Sequence, residues 1–372
     1  MHVLCAPDSF KESIRADQAA QAMAQGILKA LPGATCDICP IADGGEATLD
    51  ILITALNGEI HEREVLGPLG DAGKPIMARF GMVESMGLGI VELAEASGLA
   101  LLEPDQRIPM RTTTYGTGQL LRAVIDMGAQ EMILGLGGSA TNDGGVGIAQ
   151  ALGVTFIDHT GIEIKSPIVG ADLRSIDHFD SKVDLPRIHV ACDVTNPLTG
   201  PNGASAIYGP QKGATRQQVE QLDAGLLHLA TLSNVDPNQP GTGAAGGAGF
   251  GLAAFCGATL KPGIDLVLET LDFESRCVKA DLVLTGEGTL DHQSRQGKAC
   301  LGVARIAKQL GIPCIALVGQ AGDGAEACCD PDRPDSLTRY VSLSEVFGMN
   351  RAMNDPADCL SKAAGEMALE YR

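Results

Sequence analysis

The sequence predicts an α/β protein of two α/β domains: a doubly wound, Rossmann-like domain built from both chain ends, and a mixed α/β domain inserted between them. Three observations carry that expectation. Short β-branched or aliphatic runs alternate with segments of helical periodicity near both ends, the pattern of a largely parallel sheet. Between them the grain changes to glycine-rich turns joining short apolar runs. The length of 372 residues and the 45% hydrophobic content are enough to bury a substantial core and to divide it between two domains.

Residues 2–6 read as the first strand. A helix follows, with Ala20, Met23, Ile27, Leu28 and Leu31 on one side and Pro32-Gly33 as its stop. Residues 36–42 read as a second strand and 46–56 as a second helix closed by Asn57-Gly58. Residues 66–95 then carry short runs at 76–80 and 89–93 separated by turns, which marks a new domain. The α/β rhythm resumes with strand-like 281–285, a helix over 298–310, strand-like 313–318 and a further run at 339–343. The expected division is therefore 1–65 with 268–372 for the Rossmann-like domain and 66–267 for the insert, with the active site in the cleft between. No internal repeat is evident, and the Gly/Ala stretch 241–251 is too short for a low-complexity linker.

Lys and Arg number 27 against 46 Asp and Glu, a formal charge of -19 that repels phosphodiester backbones and anionic lipid surfaces. Nucleic acid and membrane are thus not expected as partners. The opening Met1-His2-Val3-Leu4-Cys5-Ala6-Pro7-Asp8 lacks the basic and apolar regions of an export signal, and no apolar run approaches the roughly 18–20 residues of a membrane helix, so a cytoplasmic location is expected. The 11 cysteines are scattered through apolar segments, where small buried thiols are the commoner explanation. The Cys36-Asp37-Ile38-Cys39 spacing falls on an expected strand, whose residues three apart point to opposite faces, so it reads as two structural thiols.

In open α/β sheets, ligands bind beyond the carboxyl ends of the strands. Five such ends deliver a carboxylate: Asp8 in Asp8-Ser9-Phe10-Lys11, Asp43 in Asp43-Gly44-Gly45-Glu46, Asp143 after the run 132–136, Asp193 after 188–192, and Glu287 after 281–285. One carboxylate at one strand end is ordinarily a helix N-cap. Several beside glycine turns are what magnesium-assisted phosphoryl transfer needs: oxygen ligands for the ion, a base for the attacking hydroxyl, and backbone N–H groups near phosphate oxygens. The densest loop, Gly135 to Gly145, holds Gly137, Gly138, Ser139, Ala140, Thr141, Asn142 and Asp143 between a strand and a helix expected through Ala149 and Leu152. Its amides are expected at the positive end of a helix dipole as a phosphate site; a tight packed turn is the alternative.

Lys11, Lys212 and Lys298 each sit in or beside a glycine-containing turn and are candidates for local positive charge, against the plain reading of solvated surface lysines. No Walker A sequence is present, since Gly297-Lys298 runs into Ala299, and the first strand's turn lacks a GxGxxG fingerprint. The histidines show neither HxxxH nor HExxH spacing. His292, beside Asp291, lies in a motif-like segment and is granted at most a supporting role.

At these residues the chain resembles the bacterial type I glycerate kinases. The matching segments are Ala6-Pro7-Asp8-Ser9-Phe10-Lys11, Ala42-Asp43-Gly44-Gly45-Glu46, residues 112–118, residues 137–145, Asp193-Val194-Thr195-Asn196-Pro197-Leu198, residues 209–214, residues 243–249 and Thr285-Gly286-Glu287-Gly288. Any one is weak; the series in fixed order is specific. Ala47, Ser294 and Cys300 depart from the family's usual Gly, Thr and Pro. The resemblance implies transfer of the ATP γ-phosphate to a hydroxyl of D-glycerate with Mg2+, usually giving 2-phosphoglycerate, and a place in glyoxylate or sugar-diacid breakdown.

Assigned by chemical type, Asp193 is the expected base, with Asp43 or Asp8 next and Lys11 beside them in the catalytic set. Asp43, Glu46 and Glu287 are the expected magnesium ligands, and residues 137–143 with Lys212 the expected nucleotide-phosphate site. Ser9, Asn196 and Arg111, or Arg107 in its place, are expected on the substrate, the arginine clamping its carboxylate. Two other readings stay open: a non-catalytic sugar-acid-binding protein and an NAD-dependent hydroxy-acid dehydrogenase. The oligomeric state is left open as well, a homodimer included.

Overall fold

The computed structural model describes residues 1–45, 47–181, 183–292, 294 and 299–372. They form an α/β fold of two compact units, Met1–Asp43 with Ile264–Arg372, and Gly44–Gly263.

The first unit is built on five parallel strands in the order Thr35–Ile38, His2–Pro7, Leu282–Gly286, Cys314–Val318 and Arg339–Ser342. In chain order this is 2-1-3-4-5. The three inner strands are buried almost throughout, which is why they read as unbroken apolar runs instead of alternating ones. Helix Ala16–Ala30 turns Ala20, Met23 and Ile27 into the core and leaves Leu28 exposed, so the expected apolar side is narrower by one residue. It packs against the C-terminal helix Pro356–Glu370, with Gly26 so close to the Ser361 carbonyl that any side chain would overlap it.

The second unit carries a six-stranded sheet in the order Thr259–Lys261, Arg187–Ala191, Glu131–Gly135, Leu88–Glu92, Pro75–Val83 and Glu59–Leu66. The first four run parallel and the last two antiparallel. Helix Tyr115–Asp126 covers one face through Leu120, Leu121 and Val124. A smaller core gathers Phe156, Phe250 and Phe255 beside the antiparallel pair Thr155–Asp158 and Ile176–Asp180. Residues Glu92, Gly135 and Ala191 lie side by side, so three neighbouring parallel strands end at one level.

Several expectations are corrected. The second strand stops at Ile38, and residues 39–42 run on buried beside the first strand, the Cys39 and Ile41 amides donating to the Cys5 and Pro7 carbonyls at 2.9 and 3.0 Å. The second helix runs Thr48–Ala55, packs on the six-stranded sheet and so belongs to the second unit. The division therefore falls after Asp43, earlier than residue 65, and Glu59–Leu66 is the edge strand of the second sheet. All 11 cysteines are unbridged; Cys36 lies on the strand and Cys39 beyond its end. Among the described residues no helix is long and apolar enough to cross a membrane.

Candidate functional site

In the second unit the loops leaving the aligned strand ends enclose a cavity of about 300 Å³. Its floor is Ala191, Cys192 and Asp193 from one strand end and Leu136, Gly137, Gly138 and Ser139 from the next. Gly44 and Gly45 close one side, and Tyr208, Gln211 and Lys212 another. Gly44 must be glycine: its φ is +90°, and a Cβ would lie 2.8 Å from the Ala191 methyl and 2.9 Å from the Gly263 Cα.

Lys212, only 2% exposed, is the cation of this cavity. Its Nζ donates to the Ser139 hydroxyl at 2.6 Å and to the Thr141 carbonyl at 2.8 Å, and it makes no ion pair among the described residues. Burial pushes its pKa down to about 7, with the charge of Asp143 partly opposing the shift. Asp193 is exposed, and its Oδ1 accepts the Gly263 amide at 2.8 Å. Tyr208 donates from its hydroxyl to Asn196 Oδ1 at 2.7 Å.

Of the expected loop residues, Gly137, Gly138 and Ser139 face the cavity, whereas Ala140, Thr141, Asn142 and Asp143 are buried behind it. Asp143 explains why. Its carboxylate accepts from the Thr114 amide at 2.7 Å, the Thr114 hydroxyl at 2.8 Å and the amides of Gly145 and Gly147 at 3.2 and 3.3 Å. Burial raises its pKa and these bonds oppose the shift. The amides at the start of helix Val146–Ala151 are thus occupied by the chain itself, the Ile148 amide going to the Thr114 hydroxyl at 3.0 Å. The expected phosphate site at that helix end is not formed: Asp143 is the anion already there. Asn142 is likewise spent, donating to the Ser205 hydroxyl at 3.0 Å.

Asn196 donates to the Asn202 carbonyl at 2.9 Å and accepts from Tyr208, which makes it a brace of its loop. Arg111 ends the turn Pro109–Arg111 with its side chain exposed, and neither it nor Arg107 lines the cavity. Sequence reasoning missed Leu99, Tyr208, Gln211, Ala244 and Ala245, all of which do. Tyr208 and Gln211 flank the glycine turn that drew attention to Lys212, and that adjacency was the available signal.

In the first unit three carboxylates gather. Asp8 follows His2–Pro7 and Glu287 follows Leu282–Gly286, two strands paired side by side. The Asp8 amide donates to the Gly286 carbonyl at 2.8 Å. The Asp8 pKa is pushed up to about 7, first by burial and then by the charges of Asp43 and Glu287, against hydrogen bonding from Ser9. Ser9 donates its amide to Asp8 Oδ1 at 2.6 Å, so it serves the acid turn. Glu287 is 7% exposed and accepts from the Ser294 hydroxyl at 2.7 Å. Lys11 is exposed, and its backbone amide lies beside Gly288 of the Glu287 turn. Among the described residues no three His, Cys, Asp or Glu side chains converge as a complete metal cage. Glu46, Gly297 and Lys298 lie outside the described residues.

Residues 3–371 match the model of the glycerate kinase family. The chain is 44% identical over 379 residues to a glycerate kinase of Halalkalibacterium halodurans, covering 99% of this chain and 97% of the relative. It is 47% identical over 336 residues to a glycerate kinase of Bacillus subtilis, covering 88% and 87%, and 43% identical over 333 residues to the glycerate 2-kinase of Escherichia coli K12, covering 87% and 86%. A crystal structure from Salmonella typhimurium LT2, of a protein assigned as glycerate kinase 2, superposes with a TM-score of 0.85 at 38% identity, covering 100% of this chain and 98% of that one. With a family match over nearly its whole length and relatives this similar from end to end, the chain belongs to the glycerate kinase family.

Proposed function

We propose that this protein transfers the γ-phosphoryl group of ATP to D-glycerate with the aid of magnesium, releasing ADP and 2-phosphoglycerate. The observation that carries the reading is that Asp8 and Glu287 follow two paired parallel strands and that the charges of Glu287 and Asp43 both act on Asp8. The strand order 2-1-3-4-5 supports reading the sheet as doubly wound; its switch point would then lie between the first and third strands, which Asp8 and Glu287 follow.

Hard oxygen donors whose charges act on one another fit a divalent cation, whose charge offsets that repulsion; burial is the larger reason Asp8 holds its proton near neutrality. Magnesium keeps waters and phosphate oxygens among its ligands, so a site of one or two carboxylates suffices. Asp43 and Glu287 would hold it, with Glu46 as the third sequence candidate; when bound, it neutralises charge developing on the phosphoryl oxygens. Lys11 adds positive charge from the chain itself. To Asp193, which accepts the Gly263 amide and lines the cavity, falls the role of accepting the acceptor's hydroxyl proton. The Gly137 to Ser139 wall and Lys212 bind the anion, and Asn196 braces its loop.

Incubation with ATP, magnesium and D-glycerate, followed by NMR of the product, is expected to give phosphate on the second carbon. Asp193→Asn is expected to lower kcat by about a hundredfold or more, the scale for loss of a base. A variant with near-wild-type turnover would remove Asp193 from the mechanism.

A further inference from the structure

We infer that the cavity of the second unit is the acceptor's site and that Lys212 with Ser139 reads the carboxylate of a short monoanionic hydroxy acid, not the phosphates of the nucleotide. The inference rests on the kinase reading above and says which of its two substrates this cavity takes.

The argument begins with donors. A lysine ammonium has three N–H groups and no acceptor. Two point to the Ser139 hydroxyl and the Thr141 carbonyl, which leaves one for a ligand. Ser139 Oγ accepts from Lys212, so its own O–H is free to donate, and Ser139 also lines the cavity. Two donors therefore converge on one place, the number a carboxylate takes in a two-point contact.

Charge points the same way. Lys212 is buried without an ion-pair partner among the described residues, and the nearby Asp143 has its oxygens committed to Thr114, Gly145 and Gly147. A buried ammonium without a counter-ion is costly, and an incoming anion supplies the counter-ion. Among the described residues the lining holds one cation, Lys212, and the Asp193 carboxylate on another wall, with Tyr208, Gln211 and glycine turns as neutral polar neighbours and Leu99, Leu136 and Ala244 among the apolar ones. A single negative charge with hydroxyls turned toward Asp193 satisfies that lining. The several charges of a triphosphate would meet one ammonium among the described lining residues. The helix-terminal amides that would have served phosphate are already taken by Asp143.

The test measures KM for each substrate separately in wild type, Lys212→Met and Ser139→Ala. In Lys212→Met the KM for D-glycerate is expected to rise about a hundredfold or more, with the KM for ATP within about threefold. The preference of the wild type for D-glycerate over glycerol, which lacks the carboxylate, should largely disappear in that variant. Ser139→Ala, which leaves the lysine in place, should raise the D-glycerate KM about tenfold. Calorimetric titration of D-glycerate without ATP gives the second readout and does not depend on turnover. A rise confined to the KM for ATP, or unchanged constants for both substrates, overturns the inference. If the wild type binds D-glycerate through Lys212 yet phosphorylates nothing, the kinase reading fails and this inference stands. If it phosphorylates D-glycerate with Lys212 making no difference, the reverse holds.

Discussion

Glu92 shows how a single residue does work that its neighbours in sequence do not reveal. It ends strand Leu88–Glu92, is 8% exposed, and accepts the Leu49 amide at 2.9 Å. Helix Thr48–Ala55 begins after Ala47, whose φ of +70° and methyl side chain provide no cap. Glu92 supplies the missing acceptor from the sheet, just after the Gly44–Gly45 turn that closes the cavity. Burial pushes its pKa up to about 7, with Glu95 and Asp50 adding to the shift and the Leu49 amide and Arg79 opposing it. Because the folded-state value lies above the unfolded one, the folded state holds the extra proton between them; this contribution is full below the unfolded value and is lost as pH rises through about 7. Glu92→Gln keeps an oxygen for Leu49 and cannot ionise. Its Tm relative to wild type is expected to climb by several degrees between pH 5 and pH 8, whereas Glu92→Ala, which uncaps the helix, should lie below wild type at both. A Tm difference for Glu92→Gln that does not change with pH would show that the carboxyl ionises freely. The strand-end positions of Asp8, Asp193 and Glu287 are legible in the sequence, whereas Glu92 falls inside the run expected at 89–93. Its partner is not legible either, because the helix it caps lies 43 residues earlier in the chain.

At the scale of elements, buried strands are legible and a charged edge strand is not, for a physical reason. Leu282–Gly286 and Cys314–Val318 are buried along their whole length, so every residue is apolar or small. Glu59–Leu66 has one neighbour and exposes most of its side chains, so its charged residues hide the strand. Helix Arg216–Thr231 starts at a Thr215 and Gln218 capping box, a signal the sequence expectations did not take up. The Gly/Ala stretch 241–251 gives the least away. It forms the start of helix Ala244–Cys256, interrupted by a left-handed turn in which Ala245, Gly246 and Gly247 have φ of 50°, 68° and 88°. Left-handed backbone requires glycine or tolerates strain, and a Cβ on Gly246 would overlap the Thr141 carbonyl, the oxygen that holds Lys212. Gly246→Ala combines both penalties and is expected to cost about 3 kcal/mol or more of stability. Because the displaced group is the lysine's acceptor, the KM for the hydroxy acid should rise as well. Chemical denaturation and steady-state kinetics on one preparation check both, and a variant normal in each would mean that the turn has room the geometry denies.

The whole chain is laid out so that one unit is continuous and the other is assembled from both ends. Strand His2–Pro7 sits between Thr35–Ile38 and Leu282–Gly286, so the first unit's sheet is complete only when the C-terminal segment has joined it. Helices Ala16–Ala30 and Pro356–Glu370 make the same join on the sheet's face, within one core that includes Met23, Ile27, Leu360 and Ala364. Gly26 is where that join is tightest, and Gly26→Ala forces a methyl group into the Ser361 backbone. Overpacking of this kind costs about 1–3 kcal/mol or more and acts on the cooperative unit that contains it. The six-stranded sheet has its own cores and is closed within Gly44–Gly263. In hydrogen-exchange measurements on the full-length protein, Gly26→Ala is therefore expected to lower protection across His2–Pro7, Leu282–Gly286 and Cys314–Val318. Protection in Glu131–Gly135 and Arg187–Ala191 should stay within error of wild type. Equal loss in both sheets would mean that the two units unfold as one, and the join between the chain ends would then be stabilising the whole molecule and not its own half.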